Sequence, residues 1–287
     1  MIGQTVSHYR ILSKLGEGGM GTVYVAEGTL LRRRVAIKSL KLASVPGQTH
    51  FRTRFLREAR AASLLNHPHI ATVHDYGETE DGQPYLVMEL IDGQSLNDLL
   101  RADSLPVERT IDIIKQVTEA VAEAHRHGIV HRDIKPSNVV LNQRNEVKVL
   151  DFGLAKHTEP DDAARLEGAS VTHTLEGVII GTPSYLSPEQ ALGLPVDRRS
   201  DIFSIGSVLY ECLTGTPAFA GKTLGEIVAQ VIRDDPPPPS KLNPHVPPEL
   251  DRVTLKALAK KTEARYQTAE DLLADLKPVD FTKNRAK

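Results

Sequence analysis

His131-Arg132-Asp133-Ile134-Lys135-Pro136-Ser137-Asn138 gathers an aspartate, a lysine and an asparagine into one proline-containing stretch. The run fits a catalytic loop that positions a hydroxyl nucleophile and holds a metal ion. Two short strings precede it, Gly16-Glu17-Gly18-Gly19-Met20-Gly21-Thr22-Val23 and Val35-Ala36-Ile37-Lys38. Two follow it, Asp151-Phe152-Gly153 and Ser187-Pro188-Glu189. Any one of these could arise by chance, but chance does not account for all five in this order.

The chain has 287 residues, long enough for one large domain or two smaller ones, and 40% apolar content is enough to bury a sizeable core. A net charge of -2 gives no electrostatic argument for nucleic acid or for adhesion to an anionic membrane. The single cysteine, Cys212, rules out an internal disulfide and lies in an apolar stretch as a buried thiol. Residues Met1 to Arg10 lack the apolar core of a secretory signal, and no run approaches the length of a membrane span. The expected location is cytoplasmic, either alone or as the cytoplasmic domain of a longer membrane-anchored protein. The terminal segment 279–287 reads as a basic, solvated tail.

Residues 9–90 read mainly as strands. Val23-Tyr24-Val25-Ala26, Val35-Ala36-Ile37-Lys38 and Tyr85-Leu86-Val87-Met88 are rich in β-branched and aromatic residues between turn signals. One helix interrupts them from Phe51 to Leu65, stopped by Asn66-His67-Pro68. Helices dominate afterwards: Val107 to Arg126, Asp201 to Leu213, Asp251 to Lys260 and Thr268 to Leu276. Pro236-Pro237-Pro238-Pro239 reads as a stiff connection. The pattern implies an α+β chain of two lobes, residues 9–90 and 94–278 within one domain spanning 9–278, joined at Ile91-Asp92-Gly93.

The glycine run lies between two strand patterns, whereas a dinucleotide-binding turn needs a helix after its glycines. Glycines let a backbone approach phosphate oxygens closely, although a glycine-rich hairpin can be a flexible turn and nothing more. Lys38 tips that balance. It stands in an apolar strand where an unpaired ammonium is costly, and a phosphate or a carboxylate would satisfy it. Glu58 is the candidate carboxylate; the plainer reading is a glutamate on a solvated helix face. His131 reads as a packed structural histidine.

The five strings together resemble the protein kinase family, in the form of the bacterial eukaryotic-like Ser/Thr kinases, and the resemblance runs from Tyr9 to Leu276. It implies a two-lobed fold with a small antiparallel sheet lobe bearing one regulatory helix, and a larger helical lobe. It also implies ATP and Mg²⁺, with Mn²⁺ as a substitute, protein substrates, and a homodimer for autophosphorylation in trans. In that pattern Asp133 orients the substrate hydroxyl and accepts its proton, and Lys135 neutralises charge on the transferred group. Asn138 and Asp151 hold the metal, and Lys38 pairs with Glu58. The loop Leu15 to Val23 covers the phosphates. Leu15, Val23, Ala36 and Val140 enclose adenine, Met88 guards the cleft, and the Glu89 carbonyl and Ile91 N–H meet the base edge. Thr182 bonds Asp133 and Lys135, Asp201 braces the catalytic loop, and Glu189 pairs with Arg265.

Residues 151–189 then form an activation segment, in which Thr172 and Thr174 are autophosphorylated and Arg132 receives the phosphate. Ser187 stands where alanine is commoner in the family. The rival reading is a pseudokinase that binds nucleotide without transferring phosphate. It requires a missing catalytic residue, and Lys38, Glu58, Asp133, Asn138 and Asp151 are all present. A small-molecule kinase fits less well with Gly181-Thr182-Pro183 and Ser187-Pro188-Glu189, which suit an extended protein substrate.

Overall fold

The computed structural model describes residues 2–18, 21–40, 48–152 and 183–277, with the backbone alone over 48–55. Its N-terminal part is an antiparallel sheet of order β1-β2-β3-β4-β6-β5. The strands are β1 Thr5–Val6, β2 Tyr9–Gly18, β3 Gly21–Gly28, β4 Arg34–Leu40, β5 Val73–Glu78 and β6 Pro84–Glu89. Helix α1, Gln48–Ser63, lies between β4 and β5 in sequence and packs on β5.

β4 is central, and every residue after Arg34 is buried. Alternate residues point to opposite faces. Val35 and Ile37 join Tyr9, Ile11, Ala26, Tyr85 and Val87 on one side. Ala36 and Leu40 join Ala59, Leu86 and Met88 on the other. The same alternation gives Lys38 to the second face, only 8% exposed. Gly21, with φ +155°, turns the chain into β3 so close to β4 that an added Cβ would stand 1.9 Å from the Ser39 carbonyl oxygen.

The C-terminal part begins with β7 Gly93–Ser95 and continues through α2 Leu96–Ala102 and α3 Val107–Arg126. A 3₁₀ turn, Pro136–Asn138, leads into β8 Val139–Asn142 and β9 Val147–Val149, which form a small sheet with β7. After a second 3₁₀ turn, Pro183–Tyr185, come α4 Pro188–Ala191, α5 Arg198–Thr214, α6 Leu224–Arg233, α7 Pro239–Leu242, α8 Pro248–Ala257 and α9 Ala269–Leu276.

Local chemistry fixes several of these ends. Asp197 caps α5 by accepting from Arg199 N–H, and Gly215 ends it in the left-handed conformation at φ +73°. Ser187 with Gln190, and Thr268 with Asp271, form reciprocal capping boxes at α4 and α9. α5 is the spine of this part, buried at nearly every position from Ser200 to Leu213, with α3 and α8 against it. Gly206 permits that approach, since a Cβ there would lie 2.8 Å from the Ala257 Cβ.

The expected strands and long helices are found, with shifted ends. The helix expected over 51–65 spans 48–63, and Thr268 caps its helix instead of starting it. Residues 236–238 form a connection, but Pro239 opens α7, where its missing N–H costs nothing. β5 was not anticipated. Among the described residues it is an edge strand of mixed polarity that pairs only with β6. α6 was also passed over, although Leu224, Ile227, Val228 and Val231 stand at helical spacing.

Candidate active site

The loop 131–138 follows α3, which ends at the cap residue His127. Ile134, 1% exposed, anchors the loop in the helical core. Arg132 adopts φ +67°, a left-handed conformation costing a non-glycine residue about 1–2 kcal/mol. Its surroundings hold it there. The fully buried Asp201 carboxylate accepts from His131 N–H and Arg132 N–H, each at 2.8 Å, and lies 2.8 Å from His125 Nε2. Gln190 Nε2 donates to the Arg132 carbonyl at 2.7 Å. His131 is fixed through both ring nitrogens, with Nε2–H on the Leu150 carbonyl at 2.8 Å and Nδ1 accepting from Asp133 N–H at 3.2 Å. Its ring meets Phe152 edge-on, which makes it the packed histidine the sequence implies.

Asp133 is the focus of this loop. Lys135 Nζ reaches its Oδ2 at 2.7 Å. Asn138 Nδ2 donates to the same oxygen at 3.2 Å and to the Asp133 carbonyl at 2.8 Å. With its amide nitrogen committed in this way, Asn138 has its amide oxygen to offer a hard cation. The 3₁₀ turn at Pro136–Asn138 makes this possible by folding Asn138 back over Asp133.

Asp151 stands at the exit of β9, also left-handed at φ +61°. Leu150 N–H donates to the Asn138 carbonyl at 2.9 Å, and Val139 pairs with Val149, so Asn138 and Asp151 share one end of the β8–β9 hairpin. One carboxylate and one amide oxygen suit a divalent cation that takes its remaining ligands from phosphates and water. Lys38 Nζ meets Asp151 Oδ2 at 2.7 Å. Burial pushes the Asp151 carboxyl up, but the charge and hydrogen bond of Lys38, with help from His131 and Lys135, outweigh it and hold the group below its ordinary value.

The lysine therefore has its anion, but a different one from that expected. Among the described residues the ion pair of Lys38 runs to Asp151 and not to Glu58, which is half-buried on α1. Burial of the lysine demands an anion, and either carboxylate would serve.

Above the cleft, a Cβ on Gly16 or Gly18 would meet nothing within 4 Å. Packing within the chain does not require glycine at either place, and a phosphate approaching the backbone would. Glu17 is paired with Lys14 at the surface, Thr22 is half-buried opposite it, and Gly19 and Met20 lie outside the described residues. Ala36 and Met88 line the cleft face of the sheet, Val23 and Val140 are half-buried, and Leu15 is largely exposed. Met88 also borders a water-sized cavity with Ala62, Asp151 and Phe152. Glu89 ends β6, and Ile91 lies in the segment between β6 and β7 that joins the two parts.

Asp201 and Arg265 were placed correctly from sequence. Arg265 makes a fork on Glu189 at 2.7 and 2.8 Å. Gln190 and His125 were missed as supports of the loop 131–138. The capping pattern Ser187-Pro188-Glu189-Gln190 was the available signal for Gln190, and it gives Ser187 a purpose that alanine lacks. Thr172, Thr174 and Thr182, with Gly153, Gly181 and the tail 279–287, lie outside the described residues.

Comparison with known proteins agrees with this geometry. The protein kinase domain family matches residues 9–276. Serine/threonine-protein kinase PknB of Mycolicibacterium smegmatis is 46% identical over 272 residues, which cover 93% of this chain and 42% of that protein. Serine/threonine-protein kinase PrkC of Bacillus subtilis is 40% identical over 279 residues, covering 96% of this chain and 41% of PrkC. The chain thus spans less than half the length of these curated relatives. The crystal structure of the Mycobacterium tuberculosis PknI kinase domain matches with a TM-score of 0.74 at 29% identity, over 96% of this chain and 98% of that one. No helix among the described residues is long and apolar enough to cross a membrane.

Proposed function

This chain belongs to the protein kinase domain family, and on that premise we propose that it transfers the γ-phosphoryl group of ATP to serine and threonine hydroxyls of proteins, with Mg²⁺ as the metal. The family as a whole uses ATP and a divalent metal. The observation that carries the reading is the convergence of Lys135 and Asn138 on Asp133 Oδ2, one turn of chain from the hairpin end that presents Asp151.

Phosphoryl transfer proceeds through a loose transition state, so positioning and charge matter more than strong base catalysis. Asp133 aligns the acceptor hydroxyl and takes its proton. Lys135, held against Asp133, carries positive charge where the transferred group passes. Asn138 and Asp151 would hold the metal, and Lys38, which meets Asp151 here, would pair with the phosphates. Bound metal and nucleotide supply the transferable phosphoryl group and offset its charge. The backbone at Gly16 and Gly18 closes over it. Lys135 and Thr182 support Ser/Thr over tyrosine specificity by resemblance to the family, as do the names of the relatives.

Regulation by autophosphorylation at Thr172 and Thr174, read out through Arg132, belongs to the same proposal and requires two copies to meet. The need for ATP supports a cytoplasmic location.

The test is incubation of the purified chain with labelled ATP and Mg²⁺ alongside a generic protein substrate, with mapping of the labelled residues. Label on serine or threonine, lost by at least about a hundredfold in Asp133→Asn while nucleotide binding persists, is the expected result. Equal labelling by Asp133→Asn and the wild type would overturn it.

A further inference from the structure

Lys148 has no part in the site assembled so far. It lies on β9, three residues before Asp151. Its Nζ reaches Glu89 Oε2 at 2.9 Å and the Ile70 carbonyl at 3.4 Å. Glu89 Oε2 accepts in addition from Thr72 N–H at 3.2 Å, and Glu89 N–H donates to the Thr72 carbonyl at 2.8 Å. The same short segment is stitched to β9 on its other side. Val149 N–H donates to the His69 carbonyl at 2.8 Å, and Ala71 N–H to the Val149 carbonyl at 3.0 Å. A second tie, Gln143 Nε2 to Asp92 Oδ2 at 2.8 Å, links the joint to the β8–β9 turn.

Three stretches distant in sequence therefore meet at one ion pair: the segment after α1, the joint between the lobes, and the strand that presents Asp151. The Lys148 and Glu89 side chains are 16% and 26% exposed, so water and salt weaken the pair less than they would at the surface.

We propose that Lys148 is a positioning residue for the nucleotide: through Glu89 it fixes the distance between the stretch from the end of β6 to Ile91 and the end of β9 at Asp151. The inference rests on the kinase reading, in which these two places hold opposite ends of one ATP molecule. A ligand gripped at two ends binds best when the grips are already at the right separation. Any freedom between them has to be frozen out on binding, and affinity falls accordingly. Lys148 sets that separation directly. It bonds the residue whose carbonyl faces the base, and it is fixed by a strand of three residues to the carboxylate at the phosphate end.

The test is titration with a fluorescent ADP analogue and Mg²⁺, which needs no phosphoryl transfer. Lys148→Met keeps the apolar stem and removes the charge. It should weaken binding about five- to tenfold, the range of a coupled contact pair, while the saturated turnover rate stays within about twofold. Glu89→Gln, which breaks the same pair from the other side, should weaken binding comparably, and Lys148→Arg should restore most of the loss. Should Lys148→Met not fold, Glu89→Gln and Lys148→Arg carry the comparison. Binding by both Lys148→Met and Glu89→Gln within twofold of wild type overturns the proposal. So does weakening in only one of them, or a loss that Lys148→Arg does not recover. A wild type that binds the analogue but transfers no phosphate refutes the activity and leaves the inference standing. A wild type that binds no analogue refutes both.

Discussion

Replacing Arg265 by methionine strikes the most enclosed arginine–carboxylate pair among the described residues. The Arg265 side chain is fully buried, and its fork on Glu189 is accompanied by hydrogen bonds to the carbonyls of Ala259 at 2.7 Å and of Arg199 and Lys260 at 3.0 Å each. In Arg265→Met the Glu189 carboxylate keeps, among the described residues, only the Ser200 hydroxyl as a side-chain donor. Removing one partner of a buried pair costs about 3–5 kcal/mol, mostly because the other charge is stranded. For a domain of this size that corresponds to a fall in melting temperature of roughly 10 °C.

The pH dependence gives a sharper check. In the wild type, burial pushes the Glu189 carboxyl up, but hydrogen bonds from Arg265 and Ser200 and the charge of Arg265 bring it below its ordinary value. A depressed folded value means that the stabilisation is complete above the unfolded carboxyl pKa, about 4.3, and is lost as pH falls through the folded value. In Arg265→Met burial remains and the guanidinium is gone, so the carboxyl titrates above its ordinary range and protonation relieves the strain. The gap in melting temperature between wild type and variant should be widest at neutral pH and narrow as pH falls towards about 4. Thermal melts followed by circular dichroism across that range decide it. A variant melting within about 2 °C of wild type at pH 7, or a gap that does not change with pH, would refute the reasoning.

Lys38→Met should reduce phosphate transfer at least about a hundredfold in a labelled-ATP assay. It should cost less stability than Arg265→Met, about 1–2 kcal/mol in urea melts, because Asp151 faces the cleft and can be rehydrated. Gln190→Ala removes the donor to the Arg132 carbonyl and half of the α4 capping box, so stability should fall by about 1–2 kcal/mol. Its turnover should drop severalfold while nucleotide affinity is kept, as steady-state kinetics and nucleotide titration will report. Thr172→Ala with Thr174→Ala should abolish phosphate on this segment by mass spectrometry and lower activity towards protein substrates; undiminished activity would dismiss the regulatory role of both residues.

The sequence by itself determined the family, the two-part architecture and the candidate site residues of the loop 131–138, because each is written locally. Asp133, Lys135 and Asn138 lie within one turn of chain, so their meeting needs only a short loop of the right shape. The alternation of β4 places Lys38 on the cleft face without reference to the rest of the fold, and the periodicity of residues 107–126 marks α3 from end to end.

Tertiary structure alone decided which partners these residues take. Lys38 needed an anion, and the sequence led to Glu58; in the folded chain Asp151, at the exit of β9, is the carboxylate that meets it. Gln190 reaches Arg132 across 58 positions, and Lys148 reaches Glu89 across 59, because the chain folds back through several elements between them. No local pattern encodes such pairs. A buried polar group specifies that it must be satisfied, and only the packed chain specifies by what.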